Sequence, residues 1–145
     1  MRRKFSPLLK ATYRDYPHWC EVQRFVKGVA SLKPLLILLF GSVATGEFTQ
    51  DSDADVLVIF DRPVEWLMIY AHSQGMVQPL VKTLDEVLAE IRHGEPFFIE
   101  IVEDGLALYD AGGIHQRLIG EAAKAKREWG LTRTADGWEW KKQQG

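Results

Sequence analysis

Six consecutive apolar residues, Leu35 to Phe40, lie between Pro34 and Gly41, and a second run, Val56 to Phe60, stops at Asp61-Arg62-Pro63. Short runs without alternation fit strands buried on both faces, and the valines and isoleucine of the second favour the same geometry. On either side of this pair the period changes. Trp19, Val22, Phe25, Val26 and Val29 recur at helical steps, which predicts an amphipathic helix over 13–33. Pro63 suits the first position of another helix, with Val64, Leu67, Met68 and Tyr70 as its apolar stripe and Gly75 as its stop. Met76 to Lys82 reads as a third strand. Thr83-Leu84-Asp85-Glu86 is a capping box, with Leu84, Val87, Leu88 and Ile91 behind it and Gly94 as the end. Pro96 to Asp104 fits a strand by Phe97, Ile99 and Ile101 or a helix by Phe98, Ile101 and Val102, and the helix is preferred. Leu106 to Asp110 predicts a short strand and Ile114 to Trp129 a last helix. Asp136-Gly137 then turns a small hairpin, with Trp138 and Trp140 on one face of its second arm.

With no repeat and no low-complexity linker, this alternation indicates an α/β layer sandwich and one domain over 1–145. The 145 residues, 46% of them apolar, suffice for one core. No apolar stretch has the length of a membrane span, and Met1-Arg2-Arg3-Lys4 lacks a signal-peptide core behind it, so a cytoplasmic protein is expected. Cys20, the only cysteine, excludes an internal disulfide and is expected to pack in the first helix. The histidines lack the spacing of a zinc site. Charge alters the picture more. Residues 1–34 carry eight Lys/Arg and two Asp/Glu, residues 35–110 three and fourteen, and residues 111–145 seven and four. The acidic middle repels a polyphosphate unless divalent cations or the basic flanks intervene.

That middle contains the loop Gly41-Ser42-Val43-Ala44-Thr45-Gly46-Glu47-Phe48-Thr49-Gln50-Asp51-Ser52-Asp53-Ala54-Asp55. Residues two apart on a strand share a side, so Asp53 and Asp55 converge while Ala54 turns into the core. Two ionised carboxylates so placed repel each other, and a hard cation relieves this. Mg²⁺ suits, since it takes one or two carboxylates and completes its shell with phosphates and water. Gly41 lets the backbone approach a phosphate, and the Ser42 hydroxyl with the following N–H groups can donate to it. A short helix beginning in residues 43–46 would add the anion preference of its N-terminus. Taken singly, an acidic pair or a Gly-Ser turn is a common surface feature.

Together and in this order, these residues resemble the signature of the DNA polymerase beta-like nucleotidyltransferase superfamily: Gly-Ser, ten residues, Asp-x-Asp, with 43–52 as the spacer. Within the superfamily the chain is most similar to the minimal nucleotidyltransferases, through Thr83-Leu84-Asp85-Glu86 and Asp104 to Asp110, over residues 35–110. The resemblance implies an α+β fold with a small mixed sheet flanked by helices. It also implies Mg²⁺-dependent transfer of a nucleotide, AMP from ATP, to a hydroxyl of a protein or small molecule. Asp53 and Asp55 would be the catalytic metal ligands, and Gly41, Ser42, Asp53 and Asp55 the nucleotide site. The implied partner is a separately encoded small helical protein, in some cases the toxin that such an antitoxin modifies; apart from the resemblance, a homo-oligomer is also open.

The superfamily also places a third carboxylate on a neighbouring strand, near the start of Met76 to Lys82. Gln78 stands there, and an amide can ligate a metal but cannot take a proton at neutral pH. Glu100 is the substitute if residues 97–101 form a strand. Thr45 occupies a position where many members carry an arginine. A nucleotide-binding subunit with weakened chemistry is therefore the second reading. A nucleic-acid module is the third, from Arg133, Trp138, Trp140, Lys141 and Lys142, but a pI near 6.1 gives no basic footprint and packing of the tryptophans onto the body is preferred.

Overall fold

The two apolar runs pair with each other. In the computed structural model, which describes residues 12–140, they form the antiparallel strands β1 (Leu36–Phe40) and β2 (Ala54–Phe60), with Leu38 opposite Leu57. β3 (Val77–Thr83) lies parallel to β2, and β4 (Leu106–Asp110) antiparallel to β1, giving the order β3-β2-β1-β4. Parallel strands need a crossover, which residues 61–76 supply around α3 (Trp66–Tyr70). Pro79, lacking an N–H, is tolerated because β3 is an edge strand.

Both faces of this mixed sheet are covered by helices, which is why the central strands read as unbroken apolar runs. Leu36, Leu38, Leu57 and Ile59 pack with α4 (Leu84–Arg92), α5 (Pro96–Asp104) and α6 (Ile114–Trp129). Ile37, Leu39, Val56, Val58 and Phe60 meet Val22, Phe25 and Val29 of α1 (Trp19–Ala30) and Ile69 of α3. Each such side chain contributes roughly 1.5–3 kcal/mol on full burial, so β1 and β2 fix the ends of the polar loop between them. The predicted capping box closes α4: Thr83 Oγ1 accepts the Glu86 N–H at 3.1 Å, and Glu86 Oε1 accepts the Thr83 N–H at 2.8 Å.

The structure departs from the sequence reading in several places, each with a local cause. The helix expected over 13–33 is broken, because Pro17 holds Tyr16 extended (φ −61, ψ 127) between a 3-10 turn, Tyr13–Asp15, and α1. Cys20 is exposed on α1 rather than packed. Glu65 is also extended (φ −63, ψ 130), so Pro63 does not open α3. Starting at Trp66 turns Ile69 inward and leaves the predicted stripe residues Leu67 and Met68 exposed at 70% and 54%. The Trp66 indole N–H donates to the Pro79 carbonyl oxygen at 2.7 Å and stacks on Tyr70.

The tail forms the expected hairpin, β5 (Leu131–Thr134) and β6 (Gly137–Trp140). Its cation and one ring are engaged by the body of the protein. Arg133 lies 4.9 Å over the Trp138 ring and binds Asp104 at 3.0 Å, while Trp138 Nε1–H donates to Glu100 Oε1 at 3.0 Å. Trp140 is exposed, and Lys141 and Lys142 lie outside the described residues. No helix among the described residues is long and apolar enough to cross a membrane.

Candidate active site

β1 ends at Phe40, directly opposite Asp55, and the chain has to turn away without striking that carboxylate. Gly41 allows this. Its backbone (φ 76, ψ −156) lies in a region essentially reserved for glycine, and a Cβ there would stand 2.8 Å from Asp55 Oδ2. Ser42–Thr45 follow as a single helical turn, α2, closed by Gly46 in the left-handed conformation. Thr45 Oγ1 donates to Glu47 Oε1 at 3.0 Å, so this turn carries a neutral donor where the superfamily resemblance calls for a cation.

Asp53 precedes β2 by one residue and Asp55 is its second residue. Asp55 shares the parity of Leu57 and Ile59, which assigns it to the sheet face covered by α4, α5 and α6, whereas Asp53 acts by its charge on both Asp55 and Tyr16 and does not line the cleft beside Asp55. Asp55 pairs with Phe40 on one side and Gln78 on the other, so Gln78 occupies the neighbouring-strand position where an acid was sought. The loop that delivers Asp53 is clamped by the segment before α1. The Tyr16 hydroxyl donates to the Ser52 carbonyl oxygen, its ring meets Phe48 edge-on at 5.5 Å, and His18 Nε2 donates to the Gln50 carbonyl oxygen at 3.2 Å. Burial, reinforced by the charges of Asp53, Glu21 and Asp55, pushes the Tyr16 hydroxyl up to about 12, which keeps it a neutral donor. No motif marks this clamp in the sequence, since Tyr16 belongs neither to the apolar stripe nor to the acidic pair.

Beside Asp55 opens a cleft of about 440 Å³ that also takes in Phe40, Gly41, Ser42, Thr45, Glu47 and, from α5, Phe97, Glu100, Ile101 and Asp104. Among the described residues its lining contains carboxylates and no lysine or arginine. No ion pair among the described residues involves Asp53 or Asp55. Burial, and then the charge of Asp53, raises the Asp55 carboxyl above its ordinary value. A triphosphate entering this cleft is repelled by these carboxylates, and accompanying divalent cations relieve the repulsion.

A sequence model of the nucleotidyltransferase domain matches residues 22–108, more than half of the chain. The chain belongs to the nucleotidyltransferase domain family. The match begins inside α1, further toward the N-terminus than the motifs indicate, and α6 and the hairpin lie outside it. The domain is similar to a candidate nucleotidyltransferase from Sulfolobus solfataricus, at 21% identity over 63% of this chain and 79% of the other, with a TM-score of 0.47. It is also similar to a toxin-antitoxin structure with AMP-PNP, at 17% identity over 77% of this chain and 86% of the other, with a TM-score of 0.47. A mutant of the toxin-antitoxin MntA-HpeT matches at 15% identity over 77% and 86%, with a TM-score of 0.48. No curated protein matches the chain.

The nucleotidyltransferase domain has a donor set that fits magnesium. Asp53 and Asp55 offer oxygen ligands without a competing cation, and Gln78 can add a carbonyl oxygen. A third acid is not gathered in: among the described residues no three His, Cys, Asp or Glu side chains form a group able to hold a metal ion. Glu100 reaches the cleft from a helix, because residues 97–101 belong to α5 and not to a strand. Phe97, Glu100, Ile101 and Asp104 recur at helical spacing, and that mixed aromatic and acidic stripe is the signal by which this wall was detectable.

The raised Asp55 carboxyl has a stability consequence. The folded state holds this proton more tightly than the unfolded chain, so stability is lost as pH rises through the window between the two values, and the loss stays constant above it. Asp55→Asn is therefore expected to melt higher than the wild type in metal-free buffer at neutral pH. The difference should shrink as pH falls below the carboxylate range, and added Mg²⁺ should stabilise only the wild type. Thermal melts across pH, with and without Mg²⁺, check this; a variant that melts lower than the wild type at neutral pH contradicts it.

Proposed function

We propose that this nucleotidyltransferase domain, as a single unit, transfers AMP from ATP, with Mg²⁺, to a hydroxyl of a protein or small-molecule acceptor. The observation that carries the reading is the convergence of Gly41, Ser42 and Asp55 at a cleft whose described lining holds no lysine or arginine, with Asp53 close enough to act on Asp55 through its charge. Gly41 keeps the backbone clear for close approach, and Ser42 can donate to a phosphate oxygen. Asp53 and Asp55 would hold the metal. When bound, magnesium supplies charge neutralisation for the triphosphate and for the pyrophosphate that leaves. The acceptor oxygen bonds to the α-phosphorus as the bond to pyrophosphate breaks, and the hydroxyl proton passes to a carboxylate or to water. Glu100, on the opposite wall, is the carboxylate assigned that role in place of Gln78. A cytoplasmic location, where ATP and magnesium are supplied, goes with this reading.

Gln78 beside Asp55 also favours a second reading, a nucleotide-binding antitoxin-like subunit with weakened transfer that works with a small helical protein. The exposed Trp66, Leu67 and Met68 on α3 would give such a partner an apolar surface. Incubation with α-labelled ATP and Mg²⁺ separates the two. Transfer gives pyrophosphate and a labelled acceptor. Binding without turnover, with the partner also present, supports the second reading and contradicts the first.

A further inference from the structure

α5 is one of the most apolar helices of the chain, and Phe98, Ile99, Ile101 and Val102 are buried in the core. Phe97 is the exception. It is 51% exposed, turned to the cleft that also holds Gly41, Ser42 and Asp55, and supported edge-on by Phe40 at 6.1 Å and Phe98 at 5.3 Å. Leaving half of a phenyl ring in water forgoes burial that its helix neighbours obtain. The cleft thus carries Gly41 and Ser42 where β1 ends and, across from them, an α5 wall on which the apolar Phe97 and Ile101 alternate with the acids Glu100 and Asp104. A nucleotide offers a polyphosphate to the first and, to the exposed ring of the second, a flat base with an apolar face.

We propose that Phe97 is the platform on which the nucleobase of the substrate stacks, a binding residue that the Gly-Ser and Asp-x-Asp signature does not contain. The inference rests on the cleft being the nucleotide site. Phe40 and Phe98 fix the plane of the ring, and the hairpin braces the same helix through Trp138 to Glu100 and Arg133 to Asp104. A braced ring presents its face without losing side-chain freedom on binding.

The test compares a ligand that has a base with one that lacks it. Calorimetric affinities for Mg²⁺–ATP and for Mg²⁺–tripolyphosphate are measured on the wild type, Phe97→Ala and Phe97→Tyr. Stacking predicts that Phe97→Ala weakens Mg²⁺–ATP by about tenfold while tripolyphosphate binds as before, and that Phe97→Tyr restores ATP affinity. Equal losses for both ligands overturn the proposal by making the ring a structural support. Unchanged ATP affinity overturns it too, because the base then lies elsewhere. A wild type that binds tripolyphosphate as tightly as ATP sinks the platform and spares the phosphate site, whereas a wild type that binds neither sinks both.

Discussion

Asp53→Asn is expected to lower nucleotide transfer by about a thousandfold or more while the protein stays folded. Charge stabilisation by a bound metal is worth several kcal/mol in a phosphoryl-type transition state, and each 1.36 kcal/mol is a factor of ten. Asn keeps the shape of Asp and one carbonyl oxygen but removes the charge, so it separates electrostatics from packing. Asp53 is exposed and precedes the strand, so little stability depends on its side chain. Its removal also relieves the charge that helps raise Asp55, so the variant should unfold at least as high in denaturant as the wild type. The checks are pyrophosphate release from α-labelled ATP beside a denaturation curve. Unchanged release in a folded variant would sink the assignment of Asp53 as a metal ligand.

Gly41→Ala is expected to damage both the fold and the site. A non-glycine residue in that backbone region costs about 1–3 kcal/mol, and the new Cβ would lie 2.8 Å from Asp55 Oδ2. Relief requires the Asp55 carboxylate to swing away or the turn into α2 to shift, and either one misplaces a proposed metal ligand. Loss of transfer should therefore exceed what reduced stability explains, by about a hundredfold for displacement on the order of 1 Å. Denaturant unfolding and the transfer assay, run below the unfolding range, test the two parts separately. A variant of wild-type stability and activity contradicts the geometry of this turn.

The legible parts of the fold are those where one local pattern dominates. Leu35 to Phe40 and Val56 to Phe60 favour buried strands by their length and bounding residues, and Thr83 and Glu86 fit a helix cap, because each feature is set within a few residues. α3 departs from its apolar pattern for the opposite reason. Its five residues hold one turn, so the extended backbone of Glu65 was enough to rotate the buried face from Leu67 and Met68 to Ile69. The first helix shortened because the effect of Pro17 on Tyr16 outweighed a continuing apolar period.

The site divides the same way. Gly41, Ser42 and Asp55 stand close in sequence and line one cleft, Asp53 acts on Asp55 through its charge without lining that cleft, and parallel register sets Gln78 beside Asp55. The wall formed by Phe97, Glu100 and Asp104 comes from a helix more than forty residues away in the chain, and its place over Asp55 depends on how α5 packs on the sheet. The Tyr16 clamp is equally non-local. Its bond to the Ser52 carbonyl crosses from one end of the domain to the loop that carries the acids.

The proposed binding of a metal-bound nucleotide rests on Asp53 and Asp55. Titration of ATP into wild-type protein and Asp53→Asn, each with Mg²⁺ and with a chelator, tests it most directly. Heat of binding is expected only for the wild type with Mg²⁺. Equal binding by the two proteins, or binding that survives the chelator, would contradict it.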